Sequence, residues 1–219
     1  MFAESAEPGV GPKVKICGIT NAADAKAAIE CGADALGFNF FPGSKRYIDM
    51  EVAGEWIGKL PDSIEKIAIM VNPDFEQALA AAALPFITAL QLHGAETPGF
   101  CSRLAERGIR FAKALPVTSA DSLRGIPSFA TNTLVLDSSH AGEFGGSGHT
   151  FDWNLALRFI EANPVLRVVL AGGLTPDNVA IAVRSTRPFA VDVTTGVESS
   201  AGRKDYGLMR AFIEAVRTS

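Results

Sequence analysis

Eight short apolar runs, each followed by a polar or glycine-bearing turn, set the pattern of this 219-residue chain. They are Val14–Cys17, Ala35–Phe40, Lys66–Val71, Thr88–Leu92, Arg110–Ala114, Thr133–Asp137, Arg167–Leu170 and Ala190–Val193. Between and after them lie stretches with helical spacing: Asn21–Cys31, Glu51–Lys59, Asp74–Leu84, Thr97–Arg107, Trp153–Ala162, Pro176–Arg184 and Tyr206–Arg217. After the fifth run, Ser119–Gly125 offers only a turn or two. Strands apolar on both faces and separated by helices require a parallel sheet covered by helices. A closed barrel and a doubly wound open sheet both satisfy this. Eight units in 219 residues leave about 27 residues each, which fits a compact barrel with short loops. The open sheet is favoured by a Gly-rich fingerprint after its first strand, whereas here Cys17 runs into Gly18-Ile19-Thr20. The expected fold class is α/β: a single-domain (β/α)8 TIM barrel of eight parallel strands, its fifth helix short or degenerate. It spans residues 13–219 behind a flexible extension of residues 1–12.

Local chemistry marks several helix ends. Thr20 or Asn21 can cap the first helix, with Asp24 near the positive end of its dipole. Pro73 and Pro176 suit the first helical position, where the missing N–H costs nothing. Gly32 and Gly108 follow two helices, where a left-handed residue is expected.

Charge and cysteine usage remove several function classes. A net charge of −4 argues against a nucleic-acid partner, which calls for a basic excess. No apolar run approaches the roughly 18 residues of a membrane span, and Met1–Pro12 lacks the basic and apolar regions of a secretory signal. Cys17, Cys31 and Cys101 form no CxxC, and their odd number suits a reducing cytoplasm.

In a barrel the active site sits at the C-terminal rim of the strands. There this pattern places Cys17, Asn39, Asn72, Gln91 with His93, Lys113, Asp137, Gly172-Gly173 and Asp192 with Thr194-Thr195-Gly196. Asp137 can act as a general acid or base, or cap a neighbouring loop. A cysteine placed like Cys17 is commonly a buried, inert packing residue, although a thiolate there, just before a helix N-terminus, would be stabilised. The turns Ala171-Gly172-Gly173-Leu174 and Thr194-Thr195-Gly196 follow the seventh and eighth strands, the usual phosphate seat of such barrels. Glycine there exposes backbone N–H groups to a dianion. Lys45-Arg46 is a loop charge pair or a carboxylate clamp. Gly142–Gly148 reads as a mobile lid. His93, His140 and His149 show no metal-ligand spacing, so no metal is expected.

Taken together, these segments resemble the phosphoribosylanthranilate isomerases of tryptophan biosynthesis. The matching stretches are Val14-Lys15-Ile16-Cys17-Gly18-Ile19-Thr20, Gly37-Phe38-Asn39-Phe40-Phe41-Pro42 through Ser44-Lys45-Arg46-Tyr47, and Gln91-Leu92-His93-Gly94. They continue with Leu136-Asp137-Ser138, Gly145-Gly146-Ser147-Gly148 through Phe151-Asp152-Trp153, and Ala171-Gly172-Gly173-Leu174. Asp192-Val193-Thr194-Thr195-Gly196-Val197-Glu198 and Lys204-Asp205 complete the set, in family order from Lys13 onward. The resemblance implies an Amadori rearrangement with Asp137 as general acid and Cys17 as general base. It implies that Arg46 holds the anthranilate carboxylate and that Gly172, Gly173, Thr195 and Gly196 seat the phosphate. Gln91, His93 and Asp192 fall among its substrate contacts. No cofactor is implied, because the substrate nitrogen serves as the electron sink.

Thr194-Thr195 stands where the family often has Ser-Ser, and His149 where it commonly has lysine. Two rivals are an isomerase of the histidine pathway, which uses a pair of aspartates, and a non-catalytic phosphate-binding barrel. Neither accounts for Cys17 together with Asp137. The expected partner is a small phosphoribosyl substrate, with a monomer favoured over a homodimer because the barrel itself uses most of the apolar residues.

Overall fold

A computed structural model describes residues 11–124, 126, 128–138 and 151–219. The lid expected at Gly142–Gly148, together with His140 and His149, lies outside these residues, as does the extension up to residue 10. Eight parallel strands pair in sequence order and close, with β1 against β8. They are β1 (Lys13–Cys17), β2 (Ala35–Asn39), β3 (Glu65–Met70), β4 (Ala89–Leu92), β5 (Phe111–Pro116), β6 (Thr133–Asp137), β7 (Arg167–Leu170) and β8 (Ala190–Val193). Around them run α1 (Ala22–Glu30), α2 (Met50–Ile57), α3 (Phe75–Ala83), α4 (Pro98–Glu106), α5 (Trp153–Ala162), α6 (Val179–Thr186) and α7 (Tyr206–Arg217). Between β5 and β6 the expected degenerate helix is a single 3-10 turn, Ala120–Leu123.

Side chains alternate across each strand, which sorts the apolar residues into two cores. Val14, Ile16, Leu36, Phe38, Leu90, Leu92, Leu134, Leu136, Val191 and Val193 face outward and pack under the helices. The inward positions are smaller: Ala35, Ala89, Ala112, Ala114, Val135, Val169 and Ala190, with Ile67. The outer core is therefore built from branched and aromatic residues, and small side chains fill the barrel.

Several helix ends form as the residues suggest. Asn21 caps α1 by accepting from the Asp24 amide, and Asp74 and Gln77 form a reciprocal capping box on α3. Gly32 and Gly108 have φ of 96° and 69°, the left-handed geometry expected after a helix. Both proline expectations need correction. Pro73 precedes the Asp74 cap instead of following it. Pro176 lies in a turn, and α6 begins only at Val179. The Asn178 side chain accounts for that delay, accepting from the Thr175 amide and donating to the Gly173 carbonyl. The segment after β7 is thereby tied down as a loop.

One element was not anticipated. After β8, Thr195–Val197 makes a 3-10 turn, and β9 (Glu198–Ser200) pairs antiparallel with β10 (Arg203–Lys204). This hairpin lies over the start of the barrel, where the Thr20 hydroxyl donates to the Gly202 carbonyl at 2.6 Å.

Candidate active site

At the C-terminal end of the barrel the inward positions turn from small and apolar to polar. The two-residue period that places Ala190 and Val135 inside also brings in Asp192 and Asp137 one step later. On β1 it brings in Lys15 and Cys17, and on β4 Gln91 followed by His93. A cavity of about 290 Å³ opens there. Cys17, Arg46, Gln91, His93, Asp137, Gly172, Gly173, Asp192, Thr195 and Gly196 all line it.

Cys17 is paired in register with Gly37 on β2. A Cβ at Gly37 would stand 2.8 Å from the Cys17 sulfur, so glycine provides the room the thiol occupies. Burial pushes the thiol above its usual range, while Lys15, Lys204 and a hydrogen bond from Thr194 pull it back. Two buried lysines, Lys15 and Lys204, thus favour the Cys17 thiolate, and the Asp192 carboxylate opposes it.

The two glycine turns meet backbone to backbone. A Cβ on Gly196 would overlap the Leu174 carbonyl oxygen, and one on Gly172 would overlap the amide and hydroxyl of Ser138. Gly172 and Gly173 also have φ of 85° and 63°, where L side chains are strained. The loops after β6, β7 and β8 can approach this closely only with glycine at these points.

A chain of polar groups crosses the cavity floor. The Lys15 ammonium, fully buried, donates to Asp192 Oδ2 at 2.6 Å and to Gln91 Oε1 at 2.9 Å. Gln91 Nε2 stands 3.1 Å from His93 Nδ1, and His93 Nε2 stands 3.1 Å from Asp137 Oδ2. That last approach is close but out of line for an N–H···O bond. Burial opposes the charge on Lys15, yet Asp192 and Cys17 together outweigh it and hold the ammonium above its usual value. The other oxygen of Asp192, Oδ1, is buried and has no hydrogen-bond partner among the described residues.

On the opposite side the unanticipated hairpin supplies Glu198. Its Oε2 accepts from Arg46 Nη2 at 2.6 Å, and its Oε1 accepts from Arg46 Nε at 3.2 Å and from Lys204 Nζ at 2.9 Å. Burial disfavours the carboxylate, but Arg46 and Lys204 overcome it and hold Glu198 below the usual carboxylate range. Burial lowers Lys204, with Glu198 acting against the shift. Arg46 is thereby clamped along one edge of its guanidinium.

Some rim residues serve elsewhere. Lys113 pairs with Glu96 at 2.9 Å and donates to the carbonyls of Leu92, Gly94 and Ala114. Asn72 accepts from the Ala95 amide. Both pin the loop that follows β4, and Lys45 is exposed outside the cavity. Lys15, Glu198 and Lys204 were missed as site residues. For Lys15 a signal existed: a lysine two places before Cys17 must share its inward face. Among the described residues no three His, Cys, Asp or Glu side chains gather as metal ligands, and no helix is long and apolar enough to cross a membrane.

The family model for N-(5'phosphoribosyl)anthranilate (PRA) isomerase matches residues 14–215. The chain is 41% identical over 205 residues to the N-(5'-phosphoribosyl)anthranilate isomerase of Magnetococcus marinus, covering 94% of this chain and 95% of that one. Its fold resembles the crystal structure of phosphoribosyl anthranilate isomerase from Thermotoga maritima, with a TM-score of 0.83, 39% identity, and coverage of 95% and 100%. That Thermotoga protein is dimeric. A phosphoribosyl anthranilate isomerase in complex with reduced 1-(o-carboxyphenylamino)-1-deoxyribulose 5-phosphate superposes with a TM-score of 0.81, 38% identity and the same coverage. The matched segment holds every strand-end residue described above, and the chain belongs to the N-(5'-phosphoribosyl)anthranilate isomerase family.

Proposed function

We propose that this chain converts N-(5-phosphoribosyl)anthranilate to 1-(2-carboxyphenylamino)-1-deoxyribulose 5-phosphate, a step of tryptophan biosynthesis, with Asp137 as acid and Cys17 as base. The observation that carries this is one cavity shared by Asp137, Cys17, a clamped arginine and two interlocked glycine turns. Asp137 protonates the furanose ring oxygen as the C1′–O bond breaks, and the nitrogen lone pair forms the Schiff base. The Cys17 thiolate then takes the C2′ proton, and the electrons move onto the nitrogen to give an enolamine that tautomerises to the ketone. The substrate nitrogen is the electron sink, so the chemistry calls on no cofactor or metal. Lys15 and Lys204, which favour the thiolate, help to create the base.

Gly172, Gly173, Thr195 and Gly196 offer backbone and hydroxyl donors to the phosphate. Arg46, held by Glu198 through Nε and Nη2, presents its remaining edge to the anthranilate carboxylate. The unsatisfied Oδ1 of Asp192 accepts from a substrate hydroxyl, and Gln91 and His93 complete the floor. The purified protein is expected to consume the substrate, seen as a fall in anthranilate fluorescence. No turnover, or turnover only of the aminoimidazole carboxamide substrate of the histidine pathway, overturns the reading.

A cytoplasmic location is supported by three free cysteines. A monomer is supported by the spread of the exposed apolar residues Tyr47, Val52, Val165, Ile181, Tyr206 and Leu208 over the β2–α2 loop, α2, the α5–β7 loop, α6 and α7. Light scattering at the mass of a dimer overturns it.

A further inference from the structure

We propose that Lys15 and Gln91 are positioning residues that fix His93 as its Nε2–H tautomer, with Nε2 the ring nitrogen beside Asp137. The inference follows from what each group can donate or accept. An ammonium only donates, so the Lys15 Nζ 2.9 Å from Gln91 requires the amide oxygen at that end. Asp192, 2.6 Å from the same nitrogen, keeps Lys15 in place and charged. Gln91 is 1% exposed, and its NH2 end is thereby directed at His93 Nδ1, 3.1 Å away. An NH2 group needs an acceptor, so Nδ1 carries no hydrogen and the ring proton sits on Nε2. Nε2 in turn lies 3.1 Å from Asp137 Oδ2. A buried cation two residues before Cys17 thus sets the hydrogen-bonding sense of the group beside the acid on the far side of the cavity.

The consequence for the acid rests on the reading of Asp137 given above. A carboxylic acid accepts best at its carbonyl oxygen. With His93 donating to Oδ2, the proton that Asp137 delivers is carried on Oδ1. Once that proton has left, the same N–H stabilises the carboxylate. The Nε2–Oδ2 contact is out of line for a hydrogen bond, and contacts between catalytic groups commonly straighten when substrate binds. An Nδ1–H tautomer would instead set a bare lone pair against the carboxylate.

The test is two-bond 1H–15N correlation spectroscopy on protein labelled in the histidine rings, with His93 assigned by its loss in His93→Gln. The expected parent pattern is a protonated, pyrrole-like Nε2 and a pyridine-like Nδ1. Gln91→Glu replaces the donor by a carboxylate that can only accept, so Nδ1 should gain the proton. Lys15→Met frees Gln91 to turn over, and the His93 pattern should become mixed. Gln91→Glu is also expected to lower kcat about tenfold or more with KM changed far less, the signature of a loss felt in the transition state. If Lys15→Met does not fold, the parent spectrum and Gln91→Glu still decide. An Nδ1–H tautomer in the parent, or an unchanged Nε2–H pattern in Gln91→Glu, overturns the proposal. Full activity in Asp137→Asn with the parent tautomer intact overturns the role of Asp137 as acid and leaves the tautomer lock standing.

Discussion

Replacing Glu198 by glutamine tests how the Arg46 clamp is built. The Glu198 side chain is 2% exposed and accepts from three cationic N–H groups. In Glu198→Gln the amide oxygen can keep the contacts of Oε1, which are Arg46 Nε, Lys204 Nζ and the Gly202 amide. The NH2 end then faces Arg46 Nη2, donor against donor, where 2.6 Å now separates the partners. Arg46 must swing away, and Lys204 loses its counter-charge in a fully buried place. Removing one partner of a buried ion pair costs about 3–5 kcal/mol. Because the amide keeps part of the network, the lower end, about 3 kcal/mol, is expected. For a chain of this size that lowers Tm by about 6–12 °C. A displaced Arg46 forfeits a charged hydrogen bond to the substrate carboxylate, about 1.5–3 kcal/mol, or about 10- to 100-fold in KM. Asp137 is untouched and Cys17 feels the change only through Lys204, so kcat should change by no more than about fivefold. Thermal melts and the fluorescence assay read both quantities. A Tm within 1 °C of the parent (roughly 0.3 kcal/mol) together with an unchanged KM would refute the reasoning.

Gly196→Ala forces a methyl onto the Leu174 carbonyl, and KM should rise at least about tenfold with weaker inhibition by inorganic phosphate. Equal phosphate inhibition in parent and variant counts against the phosphate seat. Gly37→Ala presses on the Cys17 sulfur and should cost about 1–3 kcal/mol of stability, read by urea melts, with a fall in kcat. Because burial raises the Cys17 thiol, its thiolate absorbance should develop above pH 9, with kcat/KM rising over the same limb. A complete thiolate at pH 7 contradicts this. Cys101 is pushed up to about 11 by burial. Its contribution to stability is complete below the unfolded thiol value and is lost as pH rises toward 11. Urea midpoints should therefore fall more steeply between pH 9 and 11 in the parent than in Cys101→Ala.

The order of strands and helices is legible in the sequence because burial on both faces leaves each strand as an unbroken apolar run. The inward set is legible too, once the two-residue period is followed from Ala190 to Asp192 and from Val135 to Asp137. Lys15 escapes notice because a charged residue inside an apolar run reads as an interruption until closure sets it against Asp192, 177 residues away. Glu198 escapes for another reason. Its strand is three residues long and polar, and its partner Arg46 comes from a loop 152 residues earlier. The late start of α6 depends on Asn178 folding back on Gly173, which outweighs the tendency of Pro176 to begin a helix.

The central claim, that Asp137 and Cys17 divide the proton transfers, is tested most directly by kcat of Cys17→Ala and Asp137→Asn beside the parent in the fluorescence assay. Each substitution should lower kcat by at least about 10²-fold, the size of a lost acid or base, with the melting transition retained. Turnover within about threefold of the parent in either folded variant, far short of that loss, contradicts the account.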